Sequence, residues 1–151
     1  RLEVPRWSQE PNAWRKAIEV VNSPSPATRE TFIHRDFHPG NIVWVDQKVS
    51  GVVDWVNACR GPAGIDVAWC RHNLANLYSV EMADEFLDAY VNAAGAGFKY
   101  NPYWDLMSVV ELLPGPPKMY GGWKAEGFPL ISDDAMRARV DRYVASVVDR
   151  L

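Results

Sequence analysis

Eight consecutive residues, His34-Arg35-Asp36-Phe37-His38-Pro39-Gly40-Asn41, put a carboxylate, two imidazoles and an amide into one short stretch of a 151-residue chain. Asp36 stands between an extended segment and a Pro-Gly turn, which sets its carboxylate on a rigid edge. Asn41 follows where a run of β-branched residues begins. The runs IVWV (42–45) and VSGVVDW (49–55), separated by Asp46-Gln47-Lys48, read as a hairpin with a three-residue turn. A hairpin returns its far end to its start, so Asp54 is expected beside Asn41, with Asp36 next to both. Two carboxylates and an amide oxygen are hard ligands of the kind that suits Mg²⁺, which takes one or two carboxylates and completes its shell with phosphate oxygens and water. A carboxylate not used as a ligand can orient a hydroxyl and accept its proton.

Such a set meets the needs of phosphoryl transfer, whose loose transition state asks mainly for positioning and charge neutralisation. Another reading uses His34, Asp36 and His38. Alternate residues of an extended chain face one way, so these three are a candidate zinc site of a metal-dependent hydrolase. His72 is the one further histidine, and Cys59 and Cys70 lack ligand spacing. Plainer roles stand beside each assignment. Asp and Asn commonly serve turns and caps. His34 reads as a hydrogen-bonded structural histidine, and His38 divides between loop support and substrate contact. Asp66 reads first as a helix N-cap and second as an anchor for the loop. His72 reads as core or surface filler.

The elements that must position these residues are legible in outline. Trp14, Ala17, Ile18 and Val21 form one helical stripe, with Pro11 near its start and Ser-Pro-Ser-Pro after it. CRGPAG (59–64) reads as a loop, and Asp66 as the cap of a helix reaching about Tyr78. Ser79 caps the next, roughly 80–93, with Met82, Phe86, Ala89 and Tyr90 on its apolar face. Asn101-Pro102 opens a helix to about Leu113. Residues 115–131 read as a loop rich in Gly, Pro and aromatics. Ser132-Asp133-Asp134 starts a last helix with the stripe Met136, Val140, Tyr143, Val144, Val147 and Leu151. Helix, hairpin and about four further helices make a mostly α protein with a small antiparallel element.

Composition narrows the function classes. A 48% hydrophobic, 23% charged chain is globular rather than disordered. A net charge of −3 and a pI near 5.6 argue against a nucleic-acid groove and leave room for a small cationic substrate. Unpaired cysteine spacing reads as reduced thiols of a cytoplasmic protein. No apolar run is long enough for a membrane, and no signal peptide opens the chain. It begins at Arg1 rather than methionine, as expected of an excised segment, a processed piece or part of a longer protein.

The stretch FIHRDFHPGNIVWVDQKVSGVVDWVNACRGPAGIDVAW (32–69) resembles the aminoglycoside phosphotransferase and choline kinase group of the protein-kinase-like fold. The ordered combination carries the resemblance: the loop, the hairpin, Asp54-Trp55, then a Gly-Pro-Ala turn and Asp66. His38 stands where protein kinases place a lysine, Asp54-Trp55-Val56 replaces their Asp-Phe-Gly, and no Ala-Pro-Glu follows, so the small-molecule branch fits better. The resemblance implies that Asp36 is the catalytic base or hydroxyl-orienting residue. It implies that Asn41 and Asp54 hold Mg²⁺ and, through it, ATP or GTP, with His34 supporting the loop and Asp66 anchoring it. The implied fold is α+β, mostly α: the C-terminal lobe of the protein-kinase-like fold over residues 1–151, with a small antiparallel hairpin beside the catalytic loop.

Two positions depart from the pattern. Arg35 stands where many relatives carry glycine, and Val56-Asn57 where they often carry an acidic residue. Relatives also have an N-terminal lobe with a Gly-rich loop, a strand lysine and its glutamate partner; none of these precedes His34 here, and Lys16 sits on the amphipathic helix. The N-terminal nucleotide-binding lobe is therefore expected to be absent from these residues and supplied by further sequence or a partner chain. The isolated chain is expected to show little or no kinase activity. Its acceptor would be a small molecule with a hydroxyl: an antibiotic, or a choline-like, sugar or amino-alcohol metabolite. Glu111, Glu126 or Asp133 could meet amines and Trp123 could stack on a cation, as helix or loop surface equally explains. A reading from another class is a non-catalytic kinase-like module that only binds a ligand or partner.

Overall fold

The computed structural model describes residues 2–125 and 127–151. The first helix, α1 (Pro11–Val21), has proline in its first turn, where the missing N–H costs nothing, and buries Ala13, Trp14 and Ala17. The Ser-Pro-Ser-Pro run that follows cannot continue it.

Two antiparallel ribbons come next. Strand β2 (Ile42–Val45) pairs with β3 (Lys48–Val52), Ile42 opposite Val52, with a bulge between Val43 and Trp44. The expected three-residue turn is a two-residue one. Lys48 belongs to β3, and Asp46 and Gln47 both take left-handed conformations, at φ 47° and 61°, which matches the twist of the flanking strands. The second ribbon corrects the reading of residues 59–64 as loop. Strand β1 (Glu30–Ile33) pairs with β4 (Cys59–Pro62), Ile33 opposite Cys59. Gly61 and Pro62 disguise β4 as loop. Pro62 is tolerated because a two-stranded ribbon is all edge, and at Gly61 a Cβ would lie 2.7 Å from Ile33 Cδ1, so a larger residue there would require the Ile33 side chain to shift.

Helix α2 (Ala63–Leu77) begins before Asp66, so Asp66 sits inside its first turn and is not the N-cap. Helices α3 (Val80–Ala94), α4 (Tyr103–Val110), α5 (Gly121–Ala125) and α6 (Asp133–Val148) complete the chain. The caps read from sequence are in place at three helices. Ser79 Oγ accepts from Met82 N–H (3.3 Å), Asn101 Oδ1 from Tyr103 N–H (2.9 Å) and Ser132 Oγ from Ala135 N–H (3.1 Å). Several details differ. Helix α3 buries Val80 and Ala83, while Met82 and Ala89 face solvent. Helix α4 stops at Val110 rather than near Leu113, short α5 interrupts the expected 115–131 loop, and Leu151 lies exposed beyond α6.

Helix α2 is central, contacting α3, α4, α6 and β1. Helices α1, α4 and α6 share one core with Trp14, Leu106, Val109, Val140, Tyr143, Val144 and Val147. Asp141 ties the N-terminal segment to α6 by accepting from Ser8 Oγ (2.6 Å), Gln9 N–H (2.7 Å) and Trp14 Nε1–H (2.8 Å). Among the described residues, no helix is long and apolar enough to cross a membrane. The result is an α+β fold, mostly helical, with two small antiparallel ribbons.

Candidate active site

The loop after β1 is held by one face of α2. Asp66 accepts two backbone hydrogen bonds, from His34 N–H (2.7 Å) and Arg35 N–H (2.8 Å). Its carboxylate thus anchors the loop, the second of the two roles read from sequence. Arg35 takes a left-handed conformation, φ 67°, which explains why glycine suits this position. His34 is buried, and both ring nitrogens are occupied. Nδ1 accepts from Asp36 N–H (3.3 Å) and Nε2–H donates to the Val53 carbonyl (2.8 Å). The imidazole therefore bridges the loop to the end of the hairpin.

This geometry removes the zinc reading. His34 has no ring nitrogen left for a metal, and the described residues contain no cluster of three or more His, Cys, Asp or Glu side chains able to hold one. His38 Nδ1 accepts from Gly40 N–H (3.1 Å), closing the turn over Pro39–Asn41, while Nε2 lies 3.7 Å from Asp36 Oδ1. Loop support is thus one of His38's roles.

Asn41 is buried at the start of β2. Its side-chain Nδ2–H donates to the Asp36 carbonyl (2.9 Å), and its own carbonyl accepts from Val53 N–H (2.9 Å). With the amide nitrogen engaged, the side-chain oxygen is the atom available to a ligand. Asp54 follows Val53 directly and takes a left-handed conformation, φ 65° and ψ 53°. Aspartate tolerates that conformation better than most residues, and holding it there costs strain of the kind that clusters at working sites. Trp55 packs behind it, its ring 4.4 Å from His34 and stacked on Phe32.

The hairpin does what its closure predicts. Asp36, His38, Asn41 and Asp54 all line one cleft of about 300 Å³, whose opposite wall is Trp69 and Asn73 of α2 with Tyr120 and Trp123. Asp36 Oδ1 accepts from Trp69 Nε1–H (3.0 Å). A larger groove of about 480 Å³ opens beside the Pro39–Asn41 turn, between Trp44, Leu74, Tyr78 and Phe128; among the described residues no carboxylate or imidazole lines it, so the smaller cleft is the candidate site. Tyr120 lies in the aromatic-rich 115–131 stretch that also carries the candidate Trp123, but Trp69 and Asn73 were not legible as site residues. The helical spacing 66, 69, 73 is their one signal, since it puts Trp69 and Asn73 on the face that carries the anchoring Asp66. Glu111 is exposed at the end of α4 and Asp133 Oδ1 accepts from Met119 N–H (3.2 Å), so neither lines the cleft. Glu126 lies outside the described residues.

The donor set fits a divalent cation that needs few protein ligands: one carboxylate and one amide oxygen at Asp54 and Asn41, with Asp36 beside them. Cys70 takes no part. Burial, with Asp66 nearby, pushes its thiol up to about 12, so it stays protonated and inert.

Residues 2–108 match the model of the phosphotransferase enzyme family. No curated protein and no solved structure matches the chain. The family match spans most of the sequence, including the loop, both ribbons and the cleft-forming helix, and the chain belongs to the phosphotransferase enzyme family.

Proposed function

We propose that this chain is the C-terminal lobe of a small-molecule kinase, which moves the γ-phosphoryl group of ATP or GTP to a hydroxyl. The observation that carries the reading is the convergence of Asp36, Asn41 and Asp54 on one cleft, in a chain of the phosphotransferase family. Asp36 orients the acceptor hydroxyl and takes its proton as the oxygen bonds to the γ-phosphorus and the bond to the β-phosphate oxygen breaks. Asn41 and Asp54 would hold Mg²⁺, which when bound neutralises charge on the transferred group. His34, through its bonds to Asp36 and Val53, fixes the spacing between the base and the metal-binding end of the hairpin.

The nucleotide-covering half of the site comes from outside these residues. No glycine precedes Gly40, so within these residues no Gly-rich loop lies upstream of the His34–Asn41 loop. The ribbons leave Phe32, Trp44, Val45 and Val49 exposed, apolar surface on which a completing segment would seat. The 151-residue chain alone is therefore expected to turn over ATP little or not at all, and robust turnover by it would overturn this part of the reading.

The test is a panel of small alcohols, antibiotics and sugars incubated with the full-length polypeptide and Mg-ATP, read by ³¹P NMR for a phosphate monoester. The reading predicts a monoester that forms only with a divalent cation present. Nucleotide binding with no transfer to any hydroxyl would favour a binding module instead.

A further inference from the structure

Asp36 carries two oxygens, and the protein treats them differently. Oδ1 accepts from Trp69 Nε1–H at 3.0 Å and faces His38 Nε2 at 3.7 Å. Oδ2 receives no hydrogen bond among the described residues. Trp69 is well placed to impose this asymmetry. It lies one helical turn after Asp66, on the same face of α2. Asp66 grips the backbone of His34 and Arg35 from that face, so the loop is held at three successive residues by one rigid helix. Trp69's own carbonyl accepts from Asn73 Nδ2–H (2.8 Å), and its ring meets His72 edge-on at 5.7 Å. The indole is therefore fixed by its surroundings before it fixes anything else.

We propose that Trp69 is the positioning residue for phosphoryl transfer: its indole N–H pins Asp36 Oδ1 and leaves Oδ2 as the oxygen that receives the acceptor's proton. This rests on the assignment of Asp36 as the hydroxyl-orienting group. A free carboxylate rotates about its last torsion, which is broad and shallow, and would offer either oxygen at varying angles. One charge-assisted hydrogen bond selects an orientation. Near-attack geometry tolerates little misplacement, so losing it lowers the rate of the chemical step and leaves nucleotide binding alone.

The experiment uses Trp69→Phe, which keeps an aromatic ring in place and removes the N–H donor together with part of the indole. In ¹⁵N-labelled chain, the Trp69 indole N–H signal, identified by its loss in this variant, exchanges slowly with D₂O and moves in Asp36→Asn. In the full-length polypeptide, hydrolysis of Mg-ATP with water as the acceptor is measured in wild type, Trp69→Phe and Asp36→Asn. The expected result is a kcat lowered roughly ten-fold or more in Trp69→Phe with KM for Mg-ATP unchanged. A wild-type kcat in Trp69→Phe beside a crippled Asp36→Asn would overturn the role of Trp69 and leave Asp36's intact. An Asp36→Asn variant at full rate would sink both, and an indole signal indifferent to Asp36→Asn would overturn the hydrogen bond itself.

Discussion

At the scale of single residues, the site is a set of polar groups with one job each. His34 illustrates how little freedom remains: its backbone N–H goes to Asp66, its Nδ1 to the Asp36 amide and its Nε2 to Val53. Arg35 and Asp54 both take left-handed conformations, and a non-glycine residue there costs on the order of 1–2 kcal/mol. Arg35 can be relieved without touching the chemistry. Arg35→Gly removes the steric cost but loosens the unfolded chain, and the net expectation is a gain of roughly 0.5–1 kcal/mol in urea unfolding. A loss of stability would mean that the Arg35 side chain makes an interaction worth more than its backbone strain. The convergence of Asp36, Asn41 and Asp54 on one cleft was legible in sequence because a loop and a hairpin, both local, place them. Trp69 was not, because its hydrogen bond to Asp36 spans 33 positions in sequence and rests on packing that no local pattern announces.

At the scale of elements, the same distinction decides what could be foreseen. Helices with one covered face, α1 and α6, show clean apolar stripes, and their positions follow from sequence. Helix α2 is covered on several sides, so its buried set includes Arg71, His72, Asn73 and Asn76 and has no stripe to read. Strand β4 was missed because Gly61 and Pro62 imitate a loop. The α2 centre is held by a polar network invisible to periodicity. Arg71, buried, pairs with Asp105 of α4 and Asp84 of α3 (2.5 Å) and donates to the Ala83 carbonyl (3.2 Å). Asp105 also accepts from Tyr100 (2.5 Å) and Tyr143 (2.7 Å). Burial pushes the Asp105 carboxyl up, and Arg71 with the two phenols pulls it back. Removing one partner leaves an uncompensated buried charge. Asp105→Ala is expected to cost about 3–5 kcal/mol in chemical denaturation, while Arg71→Met with Asp105→Leu should lose much less. If the double variant is as unstable as the single one, the network contributes more than charge compensation.

At the scale of the whole molecule, a helical core built around α2 carries two small ribbons whose side chains are mostly exposed. The core contains a built-in pH dependence. His72 is fully buried between Trp69 and Tyr143 with both ring nitrogens unpartnered among the described residues, and burial lowers its pKa to about 4. The unfolded chain binds a proton below about 6.5 that the folded chain refuses. Stability is therefore full above pH 6.5 and falls as pH drops toward 4, by roughly 3 kcal/mol in all. Thermal melts of wild type and His72→Phe across that range should diverge as the pH falls, the variant losing less; parallel curves would show that His72 is not the group responsible. The proposed function rests on the cleft beside the hairpin, and its central claim is that positions 36 and 54 divide the work. The direct measurement is steady-state phosphoryl transfer and Mg-nucleotide binding by the full-length polypeptide in Asp36→Asn and Asp54→Asn. The account predicts that Asp36→Asn loses about 10²–10⁴-fold in kcat with nucleotide affinity intact, while Asp54→Asn weakens the metal–nucleotide complex as well. Wild-type turnover in Asp36→Asn, or undiminished Mg-nucleotide affinity in Asp54→Asn, would contradict it.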